Sequence, residues 1–84
     1  MTAPDWLKLH DGTLKAGIQP NCVFVMIGGV PQYQVESRPA AGKFAAAVQQ
    51  SNNGHRHDDG QRIYATAEAA LAGGLEQLRA VLGW

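Results

Sequence analysis

Cys22-Val-Phe-Val-Met-Ile-Gly-Gly-Val-Pro-Gln-Tyr-Gln-Val35 is the stretch that decides the fold of this 84-residue chain. Cys22 to Ile27 is a short apolar run bounded by Pro20-Asn21 and Gly28-Gly29, the mark of a strand covered on at least part of both faces. Gly28-Gly29 can supply the positive φ angles of a tight hairpin turn, which residues with a Cβ resist. Pro31 has no N–H to donate, so it is expected at the mouth of the hairpin rather than inside the ladder. Gln32 to Glu36 then alternates polar and apolar, the period of a half-buried strand.

The loop length of this hairpin sets which side chains share a face. A two-residue loop places Phe24 opposite Tyr33 and Cys22 opposite Val35. A four-residue loop pairs Phe24 with Val35 and Met26 with Tyr33. Either way Cys22, Phe24 and Met26 join Tyr33 and Val35 in the expected core, and Val23, Val25 and Ile27 fall on the other face with Gln32 and Gln34. A slip of one residue exchanges the two sets.

Downstream, Arg38-Pro39-Ala-Ala-Gly42 reads as a connecting loop. Lys43 to Gln50 reads as a third strand, with Phe44, Ala46 and Val48 on one side and Ala45, Ala47 and Gln49 on the other. Gln49 to Gln61 is polar, with turn signals at Asn53-Gly54 and Asp59-Gly60. Thr66 suits a helix N-cap and Glu68 the first turn. From Ala67 to Leu82, the leucines at 71, 75, 78 and 82 form one apolar stripe. Gly74 lies at the edge of that stripe, as a point of close approach to the sheet would. Nothing in the pattern explains Gly73. Gly83 is placed to end the helix and Trp84 to fold back over Arg79 or Leu78.

Upstream, two readings of the first eighteen residues stand. Thr2 to Asp5 resembles a capping box leading into a short helix with Trp6, Leu7 and Leu9. Alternatively, Trp6–His10 and Thr13–Ile18 are strands joined by a turn at Asp11-Gly12. The expected fold is therefore α+β: one domain spanning residues 1–84, with a three- to four-stranded antiparallel meander and a C-terminal amphipathic helix on one face. A short N-terminal helix is optional.

Seven basic and seven acidic residues cancel, so no global field recruits nucleic acid or an anionic membrane. No apolar run approaches the ~20 residues of a membrane span, and the start lacks the pattern of a signal peptide. One cysteine, Cys22, permits no internal disulfide. These features predict a cytoplasmic protein, with Cys22 a small buried hydrophobe rather than a nucleophile.

Candidate chemistry is sparse. His55, His57, Asp58 and Asp59 form the one cluster of metal-type ligands, and it sits among turn formers. A closed site needs three or four ligands, so a solvated loop is the expectation and no cofactor is predicted. Ser37 and Ser51 have no evident base, and adjacent Asp58 and Asp59 would point apart on a strand, so no catalytic set is predicted. If the N-terminal helix forms, the order of helix, three strands and helix is similar to the double-stranded RNA-binding domain. That likeness implies a basic cluster at the start of the last helix, where this chain has Thr66-Ala-Glu-Ala-Ala-Leu. Arg38, Lys43, Arg56 and Arg62 are the alternative contacts for nucleic acid. The favoured expectation is a noncatalytic binding or adaptor module. Its partner, a protein or a second copy, would dock on a free sheet face made of Val23, Val25, Ile27, Gln32, Gln34, Ala45 and Ala47, unless the N-terminal segment with Trp6, Leu7, Leu9, Leu14 and Ile18 folds across and buries it.

Overall fold

Residues 2–58 and 62–84 are described by a computed structural model of the chain. The elements run α1 (Asp5–Lys8), β1 (Gly12–Ala16), β2 (Cys22–Ile27), β3 (Val30–Ala40), β4 (Lys43–Gln50), β5 (Ile63–Tyr64) and α2 (Ala67–Leu82). All five strands pair antiparallel in one sheet, in the order β1-β2-β3-β4-β5. The α+β meander is as expected, with five strands rather than three or four.

Each reading of the N-terminus supplies one part. Pro4 O accepts the N–H groups of Leu7 and Lys8 to open α1. Asp11 then takes a left-handed conformation (φ 58°) that turns the chain into β1. β3 is also longer than its composition suggests. It runs through Pro39 to Ala40, and the expected loop shrinks to a turn at Ala41 and Gly42, both with positive φ.

The first hairpin departs from its expected register within four residues of the turn. Ile27 pairs with Val30 and Met26 with Pro31, as a two-residue Gly28-Gly29 turn dictates. Val25 then pairs with Tyr33, so Gln32 is the extra residue of a β-bulge. β3 is an inner strand, flanked by β2 and β4. There a residue that cannot donate to the ladder is tolerated mainly at a bulge, and Pro31 stands beside this one. Past it, Val23 pairs with Val35 and Phe24 with Gln34.

The two faces of β2 are thereby exchanged. Val23 and Val25, expected on the free face, are buried in the core with Val35, Val48, Trp6, Leu7 and the leucines of α2. Ile27 packs against that cluster from its edge. Cys22, Phe24 and Met26, expected in the core, lie on the opposite side.

α2 packs across β3, β4 and β5. Leu71, Leu75 and Leu78 are buried, each contributing about 1.5–3 kcal/mol as an upper figure. A Cβ on Gly74 would stand 2.6 Å from Val35 Cγ1, so the helix backbone rests directly on the sheet. Gly73 has its reason here too, since the Tyr64 ring occupies the space its Cβ would need. Tyr64 Oη accepts a hydrogen bond from Gln77 Nε2 at 3.1 Å. Thr66 Oγ1 caps the helix by accepting the Ala69 N–H at 3.0 Å. At the other end Gly83 takes φ 74°, and its N–H and that of Trp84 donate to Arg79 O. Trp84 folds back to stack on His10, with ring centroids 3.9 Å apart, and to tilt against Trp6. The Arg79 guanidinium lies over Trp6. This clasp binds α1 to the end of α2, on the same side of the sheet.

Candidate functional site

Since α1 and α2 both pack on the side of Val25 and Val35, no described element crosses the other face. The strand register builds that face in rows. Lys15, Phe24, Gln34, Gln49 and Arg56 lie side by side. Thr13, Met26 and Pro31 form the row toward the Gly28-Gly29 turn. Cys22, Glu36 and Ala47 form the row on the other side, and Arg38, Ala45 and Ile63 the row beyond.

One corner is apolar. Phe24, Met26 and Pro31 line a depression with Ile18, whose side chain stands fully exposed on the β1–β2 loop. A second depression continues it along Asn21, Cys22, Gln34 and Glu36. The centre is a fixed amide ladder. Gln34 Nε2 donates to Cys22 Sγ at 3.0 Å, and Gln49 Nε2 donates to Gln34 Oε1 at 3.2 Å. Cys22 is buried and its sulfur already accepts a hydrogen bond, so it packs rather than presents itself.

The acids of this face are compensated within it. Arg38 Nε donates to Glu36 Oε1 at 3.0 Å. Arg56 holds Asp58 through Nε and the Nη2 group, at 2.6 and 2.8 Å. Lys15 and Lys43 are left at opposite borders, and the middle is close to neutral. A charge-poor centre with a charged rim is the pattern of interface cores.

The segment carrying the histidines folds as a short return along β4. Gln50 N–H donates to His55 O, His57 N–H donates to Val48 O, and Val48 N–H donates to Asp58 Oδ1 at 2.9 Å. The Asp58 side chain is only 2% exposed. The Arg56 hydrogen bond holds its carboxyl below the ordinary carboxylate range, against the opposing effect of burial, and Val48 N–H adds to the lowering. The same bond raises Arg56. Because the folded Asp58 titrates below its unfolded value of about 3.9, the tie is complete above that pH and is lost as pH falls through the folded value. The Val48 amide resonance should therefore hold steady from neutral pH to about pH 4 and move only in stronger acid. Asp58→Asn should remove that acid transition, and an NMR pH titration of both proteins checks it.

His57 stands edge-on to Tyr33, and His55 edge-on to His57. Among the described residues no three His, Cys, Asp or Glu side chains gather as a ligand set. Asp59 and the Asp59-Gly60 turn signal lie outside the described residues. No helix among those residues is long and apolar enough to cross a membrane.

Of the seven residues expected to form the docking face, Gln34, Ala45 and Ala47 are on the open side. Gln32 occupies the bulge, Val23 and Val25 are interior, and Ile27 edges the core. Phe24, Met26, Pro31 and Ile18 complete the open side, against the expectation that Phe24 and Met26 lie in the core. The available signal was Pro31, which cannot sit in an unbroken inner strand.

The order of helix, five strands and helix is longer than the order on which the likeness to the double-stranded RNA-binding domain rests. The first turn of α2 carries Glu68 and no basic residue. Compared with family models, with curated proteins and with solved structures, the chain matches none.

Proposed function

We propose that this chain is a small noncatalytic binding module that docks a protein partner on its open sheet face, in a reducing cytoplasmic setting. One observation carries the reading. An uncovered apolar corner (Phe24, Met26, Pro31, Ile18) adjoins a neutral amide centre, on a sheet whose helices all lie on the other side. An apolar patch with a polar rim is the usual form of an interaction site. The unpaired thiol Cys22 supports the compartment.

The test is site-specific photocrosslinking in cells, with the reactive group at position 24 and, as control, at exposed Val81 on α2. The expected result is a discrete protein adduct from position 24 only, lost on Met26→Lys. Equal labelling from both positions, or none, would overturn the reading. A nucleic-acid adduct would favour the alternative. That alternative draws on Lys15, which adjoins Phe24 in its row and sets a cation beside an aromatic ring, as single-strand-binding surfaces do.

A further inference from the structure

β1 is an outer strand, and no described residue pairs with its far edge. Its ladder to β2 shows which backbone groups point outward. Asp11 O accepts the Gly28 N–H, and Gly17 N–H donates to Cys22 O. In an antiparallel ladder the bonded pairs alternate, so Thr13 and Lys15 also turn their backbone groups to β2. Gly12, Leu14 and Ala16 turn theirs away from the sheet, evenly spaced about Leu14. Native edges are commonly protected by proline, a bulge, a very short strand or charged side chains, lysine above all; of these the five-residue β1 carries one lysine, Lys15. β1 has no proline and pairs with β2 without a bulge.

We infer that β1 pairs antiparallel with β1 of a second copy, about a two-fold axis at Leu14, joining the two sheets into one. The strand is complementary to itself in that register. Leu14 meets its own counterpart, with two N–H···O=C bonds in that pair. Thr13 stands opposite Lys15 at both ends, so no like charges are opposed. Gly12, opposite Ala16, is already buried with Leu7 against it, so the open part of the edge is Leu14 and Ala16. Extending the register brings Ile18 of one copy, fully exposed in the monomer, toward the Leu9–His10 turn of the other, where Leu9 is 84% exposed. Those two side chains flank the bare edge at both ends, and the pairing covers both. This surface shares Ile18 with the Phe24 corner and leaves Phe24, Met26 and Pro31 uncovered.

Sedimentation equilibrium from micromolar to millimolar protein tests it. The wild-type mass should rise toward that of a dimer. Thr13→Lys opposes two pairs of lysines and should weaken association roughly tenfold. Thr13→Glu should strengthen it through the same pairs. Ala16→Pro removes an outward N–H that the monomer leaves unpaired, so it should abolish the dimer while circular dichroism stays unchanged. Phe24→Lys should leave the mass unchanged, which separates this interface from the docking face. A monomer at every concentration overturns the inference. A dimer indifferent to Thr13→Lys and Ala16→Pro but lost on Phe24→Lys overturns it equally, in favour of face-to-face pairing.

Discussion

Gly74→Leu should leave the chain without a stable fold at 25 °C. A Cβ at this position would lie 2.6 Å from Val35 Cγ1, 3.2 Å from Ala46 Cβ and 3.4 Å from Val48 Cγ2. Val35 and Val48 are fully buried on adjacent central strands, and Ala46 has no side-chain freedom with which to yield. The first carbon is already one too many. Gly74→Ala gains about 1 kcal/mol of helix propensity but loses about 1–3 kcal/mol to overpacking, so a small net destabilisation is expected. Leucine adds three more carbons in a layer without space, and the helix must lift. Lifting exposes Leu71, Leu75 and Leu78, whose burial is worth roughly 5–9 kcal/mol together. A domain of this length has about 4–13 kcal/mol in total. Thermal and urea melts followed at 222 nm decide the matter. Gly73→Ala is the control, because the Tyr64 ring on short, peripheral β5 can swing aside, at the cost of its Gln77 hydrogen bond. It should cost about 1 kcal/mol or less. A Gly74→Leu protein melting like wild type would show that the helix does not rest on Val35.

The contrast between those two glycines shows what a sequence can and cannot disclose. Gly74 is legible because it interrupts a leucine stripe, and a gap in an otherwise packed stripe implies a close neighbour. Gly73 is not, because its neighbour is Tyr64, a ring brought in by a two-residue strand that no period announces. The span of β4 was legible despite its alanines, since alternation around Phe44, Ala46 and Val48 survives poor strand propensity. β3 runs past its expected end because Pro39 reads as a breaker, yet it stands near the hairpin end opposite Phe44. β4, and β3 beyond the bulge, keep the faces that alternation gives them, which is why Gln34, Ala45 and Ala47 remain on the open side. β2 is turned over, together with Val30 and Pro31 at the start of β3. One unpaired residue, Gln32, shifts every pairing beyond it, and a bulge leaves no mark in hydrophobic alternation. Its signal is conditional, for Pro31 demands an irregularity only once β3 is known to have neighbours on both sides.

Val25→Lys and Phe24→Lys should therefore have opposite outcomes, although the two residues adjoin in one strand. Val25 is 0% exposed and lies among valines and leucines with no acid in the cluster. A lysine there either carries an unpaired charge into an apolar interior or gives up its proton to avoid doing so, and the valine packing is lost as well. About 4 kcal/mol or more is expected, enough to remove much or all of the stability of a chain this size. Phe24 projects between Lys15 and Gln34 on the face that no helix covers. Its replacement forfeits part of an aromatic contact and sets two lysines side by side, a repulsion of about 0.2–1 kcal/mol that solvent relieves. The fold should persist, with a modest drop in melting temperature. Near-ultraviolet circular dichroism and amide NMR spectra of both variants read the result directly. The reverse pattern would mean that Gln32 is paired, that the hairpin runs unbroken from its turn, and that the valines face outward. With the bulge in place, Phe24→Lys becomes the useful tool, since it alters the apolar corner without unfolding the protein that presents it. Any partner lost on that substitution is lost through its contacts on the open face.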